Sequence, residues 1–186
     1  MSLIWEMGNT GNSTGPHLHL QLRDGGEFVE PKKGHVIAVL SPPSHPTLAN
    51  VTELVMELEG FRAQPYWDYQ QWTVGYGTRA QSKTETVDHA EAKRRLEADL
   101  ARRSQTLERL VQVPLSANQR AALISFIFNV GDGAFERSRL LRKLNAGDYA
   151  GAANEFDIWV YVKDGAEKSA GLVKRRQREK LLFLKG

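Results

Sequence analysis

The stretch "SANQRAALISFIFNVG", residues 116–131, constrains the fold of this 186-residue chain more than any other part of it. Ser116 followed three residues later by Gln119 reads as a capping box, and Gly131 supplies a stop, so the segment is one helix. Its apolar side chains fall on almost every face rather than on a single stripe. A helix of that kind runs through a core, with other elements wrapped around it. The remaining sequence has to supply the wrapping.

It does so mainly with helices. Val51, Leu54, Val55 and Leu58 recur at i, i+3, i+4 and i+7, one helix face, and Gly60 ends that helix with Glu59 in its last turn. "DHAEAKRRLEADLARRSQTLERL" reads as a long helix with Thr86 as its expected cap. Shorter helices are expected over about 138–146 and 148–160, broken at Gly147 and Asp148, and a last one over about Leu172–Leu184. Between the first two helices, "PYWDYQQWTVGYGT" (65–78) is aromatic and β-branched with glycines at 75 and 77, which predicts a small hairpin or sheet.

The resulting class is α+β and mainly helical, with two lobes. A small antiparallel sheet lobe from about 61 to 80 packs on a helical lobe, and a cleft lies between them. Residues 1–40 form a Gly-rich, strand-like segment. "SPPSHPTLAN" (41–50), with prolines at 42, 43 and 46, predicts an extended linker, so the main domain runs over 51–186.

Composition narrows the function. The hydrophobic fraction of 41% and charged fraction of 25% are those of an ordinary globular protein. Without cysteine there is no disulfide framework and no Cys-ligated zinc. No run of apolar residues is long enough for a membrane span, and "MSLIWEMGNTG" lacks a basic segment followed by a long apolar one, so neither anchor nor signal peptide is expected. The net charge of +3 divides into −1 over residues 1–50 and +4 over the rest. The densest basic run, "VKRRQREK" (173–180), reads first as a solvated helix face. It also suits a polyanion: nucleic acid, anionic lipid or the carboxylate-rich bacterial wall. No nucleic-acid-binding motif accompanies it, so nucleic acid is not an expected partner.

Two stretches carry chemistry. In "TGNSTGPHLHLQLRDGGEFVEP" a strand would put His17 and His19 on one face and Leu18, Leu20 and Leu22 on the other. Two imidazoles on a rigid face suit a metal, but zinc needs three or four protein ligands. The second stretch is "ELEGFRAQPYWDYQQWTVGYGT" (57–78). A glycosidase needs one carboxyl group kept protonated to donate to the leaving oxygen, and a second that stays ionised to orient water or stabilise positive charge on the sugar. The negative end of a helix disfavours an ionised carboxyl, which suits Glu59 to the donor's role. Asp68, on the facing hairpin, suits the second role, and the Thr73 hydroxyl suits holding the water.

The pattern of that stretch resembles the phage lysozymes of glycoside hydrolase family 24, the muramidases of T-even and lambdoid phages. It has a Glu-Gly after an apolar helix, eight residues between Glu59 and Asp68, then "WTVGYG". "VPLSANQRAALISFIFNVGDGAF", "SRLLRKLNAGDYAGAANEF" and "GLVKRRQREKLLFL" continue the resemblance in the same order over nearly all of 51–186. It implies hydrolysis of the β-1,4 bond between N-acetylmuramic acid and N-acetylglucosamine with no cofactor. Glu59 would be the general acid, Asp68 the second catalytic carboxylate and Thr73 the catalytic threonine. It also implies an arginine paired with Glu59, either Arg175 or Arg176. Asn129 in "FNVG" resembles a cleft residue that binds an N-acetyl group, and equally reads as a polar cap at the helix end. Trp159, Trp72, Tyr66 and Trp67 read either as sugar-stacking faces or as core. Two positions depart from the family pattern: four residues rather than five separate Asp68 from Thr73, and Thr78 stands where a histidine is more usual.

The expected partner is bacterial peptidoglycan, met by a monomer with no stable membrane anchor. It would be made in the host bacterial cytoplasm and act on the cell wall after release by a holin or delivery by a virion. The N-terminal stretch, over roughly residues 5–34, resembles the end of lysostaphin-like zinc endopeptidases. In that family an upstream His and Asp would complete the site with His19, while His17 would serve catalysis. No His or Asp precedes residue 17, so the histidines read as a remnant of an incomplete zinc site and no metal is expected. Two other functions fit part of the sequence: a non-catalytic peptidoglycan-binding module and a metal-dependent peptidoglycan endopeptidase.

Overall fold

A computed structural model of the chain describes residues 2–8, 17–24, 27–28, 46–68, 71–162 and 167–186. The chain divides into two compact units, Met1–Ser41 and Pro42–Gly186. The first holds three antiparallel strands in sequential order: β1 (Ser2–Gly8), β2 (His17–Asp24) and β3 (Glu27–Phe28). His17 stands opposite Gly8 and His19 opposite Glu6 in the β1–β2 register. The side chains of these histidines, and with them the expected metal face, lie outside the described residues, as do the turn at 10–16 and the segment 41–45.

The second unit begins with α1 (Pro46–Glu59). Residues 46–50, expected as linker, are its first turn, because proline at the first helical position gives up an N–H that has no partner there anyway. Val51 and Val55 of the expected face are fully buried, and Gly60 at φ +71° closes the helix with its N–H on Met56 O at 3.1 Å. The sheet follows as an antiparallel meander: β4 (Arg62–Asp68), β5 (Gln71–Gly75) and β6 (Thr78–Arg79). Gly75 sets how closely it approaches the next helix. A Cβ there would stand 2.7 Å from Ala92 Cβ, at a backbone φ of +66° that side chains disfavour.

Helix α2 (His89–Leu110) is capped by Asp88, whose carboxylate accepts from Glu91 N at 2.8 Å. The expected cap, Thr86, lies two residues too early, and Asp88 wins because its carboxylate both reaches the free N–H and suits the positive end of the helix. Ala92, Leu96, Leu100 and Leu107 form the buried stripe of α2.

Helix α3 (Ala117–Val130) has the expected capping box in full, Ser116 with Gln119. Every residue from Ala121 to Ile127 is buried, and α1, α2 and α7 (Ala170–Phe183) all pack on it. Phe126 at its centre meets Phe135, Phe156 and Trp159 edge-on, with ring centroids 5.2–6.3 Å apart.

The remaining elements are short. A one-turn helix, α4 (Asp132–Glu136), was not expected, nor was the small hairpin of β7 (Tyr161–Val162) and β8 (Glu167–Lys168). The helices expected over 138–146 and 148–160 are α5 (Arg139–Asn145) and α6 (Tyr149–Glu155), the latter continued by a 3-10 turn, Phe156–Ile158. Among the described residues no helix is long and apolar enough to cross a membrane.

Candidate active site

Glu59 ends α1, where the left-handed Gly60 turns the chain into β4. Its side chain is one-fifth exposed, and Oε1 takes a charged hydrogen bond from Arg175 Nη1 on α7. Its other oxygen lies against the backbone of Gly77, just before β6. Of the two arginines expected as partners, Arg175 is therefore the one in contact.

Asp68 and Thr73 lie on the facing hairpin. The register pairs Tyr66 with Thr73, Trp67 with Trp72 and Asp68 with Gln71. By strand alternation Tyr66, Asp68, Gln71 and Thr73 share one face, while Trp67 and Trp72 share the other. Asp68 is exposed, and Thr73 is buried with its Oγ1 making no hydrogen bond among the described residues. Tyr66 links the two carboxylates electrostatically: burial first, then the charges of Asp68 and of Glu59, push its phenol above the usual value, so it stays protonated. One ring thus feels both acids, although nine positions separate them in the chain.

The other candidates divide. Asn129, exposed in the last turn of α3, accepts from Arg176 Nη2 and so is anchored by α7 rather than capping its own helix. Thr78 is buried, and its hydroxyl donates to Val74 O at 3.1 Å, a backbone role. Trp159, which the sequence left open between sugar platform and core, packs perpendicular to Phe126 at 5.3 Å with a buried Nε1 that has no partner among the described residues, so its ring belongs with the core. Trp67 is the exposed indole, 59% open, and meets Trp72 edge-on at 5.8 Å.

A cavity of about 840 Å³ adjoins this group, with Gln71, Gly77, Thr78 and Arg79 on the sheet side and Arg95 and Phe128 on the helical side. Gly77, whose backbone touches Glu59, borders it, and Phe128 precedes Asn129. A second cavity, about 420 Å³ between α1 and α7, is lined by Leu54, Glu57, Arg178 and Leu181 and by none of the candidate residues.

The model of the phage lysozyme family matches residues 56–179, which span α1's last turn, the sheet and the helices up to α7. The chain belongs to the phage lysozyme family. It is 40% identical over 134 residues to an endolysin of Acyrthosiphon pisum secondary endosymbiont phage 1, covering 70% of this chain and 92% of that one. It is 40% identical over 131 residues to a SAR-endolysin of Escherichia phage Mu, covering 69% and 75%. Among solved structures, the muramidase domain of SpmX from Asticaccaulis excentricus superposes with a TM-score of 0.69 at 35% identity, over 73% of this chain and 95% of that one.

What the sequence reading missed in this phage lysozyme is Glu179 and the burial of part of the basic run around it on α7. Arg175 and Arg176 are 5% and 1% exposed, so they are not a solvated face. Glu179, fully buried, lies between them: Oε1 accepts from Arg175 Nε at 3.2 Å and from Ser125 Oγ at 2.7 Å, and Oε2 stands 2.7 Å from Arg176 Nη1, off the N–H axis. Burial pushes the Glu179 carboxyl up despite both arginines, and lowers Arg176 to about 10 despite Glu179. The signal available in sequence was the i, i+3, i+4 spacing of Arg176 and Arg175 to Glu179 in a helix that also had to pack on α3.

Proposed function

We propose that this lysozyme hydrolyses the β-1,4 bond between N-acetylmuramic acid and N-acetylglucosamine, with Glu59 as the general acid. The arrangement of Glu59 carries the reading: it sits at a helix end, gripped by Arg175 on one oxygen and with the other near Gly77, which lines the cavity, and Asp68 is on the following strand. In the reaction Glu59 passes a proton to the glycosidic oxygen as the C–O bond breaks and the bonding electrons leave with that oxygen. Asp68 faces the positive charge that develops at the anomeric carbon; water supplies the new oxygen there and gives up its proton to the Asp68 carboxylate. The buried, unpartnered Thr73 hydroxyl is the group suited to orient that water. The amide of Asn129, whose carbonyl oxygen Arg176 already holds, presents its NH₂ to an N-acetyl carbonyl.

The substrate is the bacterial cell wall, which the chain meets as a monomer after synthesis in the host cytoplasm, released by a holin or carried by a virion. Residues 51–186 do the chemistry, and residues 1–40 belong to a zinc-endopeptidase-like segment.

The test is loss of turbidity of purified peptidoglycan, with new reducing ends assayed, for wild type beside Glu59→Gln and with EDTA in parallel. Glutamine keeps the shape but donates no acid proton. The expected result is lysis with new reducing ends, a dead variant and indifference to EDTA. Activity that survives Glu59→Gln and falls with EDTA would move the enzyme to His17 and His19.

A further inference from the structure

Behind Glu59 lies a chain of buried charge that the reaction as proposed leaves unused. Glu59 meets Arg175, Arg175 meets Glu179, Glu179 meets Arg176, and Arg176 meets Asn129. Glu179 is fully buried in this chain and reaches neither the cavity nor solvent. The Glu179 carboxylate stands between two buried guanidiniums and offsets part of their charge.

The contacts show what each link does. Arg175 uses Nη1 on Glu59, and its Nε is turned back onto Glu179 Oε1. A guanidinium is a rigid planar fork, so fixing Nε fixes the plane in which Nη1 points. Glu179 Oε1 is itself fixed by Ser125 Oγ on the central helix α3, and Oε2 draws Arg176 toward the same point. Arg176 in turn lies over the Phe126 ring, 4.7 Å from its centroid, and reaches Asn129 with Nη2. One carboxylate at the α3–α7 seam therefore contacts two arginines, one that ends on Glu59 and one that ends on the Asn129 amide.

We propose that Glu179 is a positioning residue of this lysozyme: it acts through Arg175 on the placement of the Glu59 carboxyl, and through Arg176 on the placement of Asn129. This rests on the assignment of Glu59 as the acid. Without the Glu179 charge, Arg175 and Arg176, neighbours on α7, repel each other with nothing between them, both forks turn, and Glu59 leaves its productive geometry. Small displacements of a reacting group of this kind cost about tenfold to a hundredfold in rate.

The experiment is a double-mutant cycle of Glu179→Gln and Arg175→Met, read as kcat and KM on soluble glycan strands, with thermal unfolding of each variant and Glu59→Gln alongside. Glu179→Gln is expected to lower kcat at least tenfold and to raise KM. In the Arg175→Met background the same substitution is expected to change kcat less than about threefold, because its route to Glu59 is already cut. A role in stability alone predicts equal factors in both backgrounds, and that result, or wild-type kcat in folded Glu179→Gln, overturns the proposal.

If Glu179→Gln does not fold, the charge-balanced pair Glu179→Leu with Arg176→Leu replaces it, since exchanging a whole buried ion pair for apolar residues is often tolerated. The pair is expected to keep the low kcat, and wild-type kcat in it again overturns the proposal. Wild-type kcat in these variants with a dead Glu59→Gln removes Glu179 alone. An active Glu59→Gln removes the acid assignment and this inference with it.

Discussion

The carboxyl group of Glu59 occupies the space a side chain at Gly77 would need: a Cβ at residue 77 would stand 3.0 Å from Oε2 and 3.1 Å from Cδ, at a φ of +79°. The glycine lets the turn into β6 come close enough to wall off one side of the acid while Arg175 holds the other. Two elements far apart in sequence, a tight turn and the last helix, thus fix one side chain.

Gly77→Ala is expected to cost about 1–2 kcal/mol from the left-handed backbone alone and, because the methyl displaces Glu59, to lower kcat more than tenfold. Gly147→Ala is the control: its φ is also +79°, but a Cβ there meets nothing within 4 Å. It should lose stability to a similar degree and keep wild-type kcat. Chemical denaturation and reducing-end kinetics on both variants decide the matter.

Thr73→Val should separate stability from activity. The Thr73 hydroxyl is buried with no hydrogen-bond partner among the described residues, and removing such a group while keeping the β-branched shape is expected to stabilise by about 1 kcal/mol. If the hydroxyl orients the water, kcat falls about a hundredfold as the melting temperature rises. A valine variant with unchanged kcat would take Thr73 out of the mechanism.

The cap of α2 is testable by a pair of alanines. Asp88→Ala removes the acceptor of Glu91 N and is expected to cost about 1 kcal/mol, with kcat unchanged. Thr86→Ala, the cap expected from sequence, should cost little. Equal losses in urea denaturation would return the cap to Thr86.

Glu91 provides a pH test. Hydrogen bonds from Arg94, then Arg95, lower its carboxyl from 4.5 to about 2. A depressed carboxyl contributes stability that is present above its unfolded value near 4.5 and is lost as pH falls through about 2. The gap in melting temperature between wild type and Glu91→Gln should therefore be open at pH 6, narrow below pH 4.5 and close near pH 2. The pair is exposed, so high salt should close much of it at pH 6 as well.

Much of this lysozyme was legible in the chain order. The helix through the core, its Ser116–Gln119 capping box, the buried face of α1 and the small sheet all follow from local rules, since periodicity, capping and turn chemistry act over a few residues; the roles expected of Glu59, Asp68 and Thr73 came from the resemblance to phage lysozymes. Where two local signals competed, sequence reading faltered. Pro46 reads as a helix breaker until it is seen at a helix start, and Thr86 and Asp88 both suit a cap until the geometry selects the second.

Tertiary structure decided everything that depends on which surfaces meet. Two of the five basic residues in the run on α7 are buried because α7 packs on α3, and only that packing brings Arg175 to Glu59, Arg176 to Asn129 and Glu179 between them. The same packing places Trp159 against Phe126 and leaves Trp67 open. The sequence by itself determined which elements form and which acids stand ready, because those choices are made within a turn or a strand. It left open which charges are buried and paired, because desolvation and ion pairing depend on partners more than a hundred residues away, such as Arg175 for Glu59.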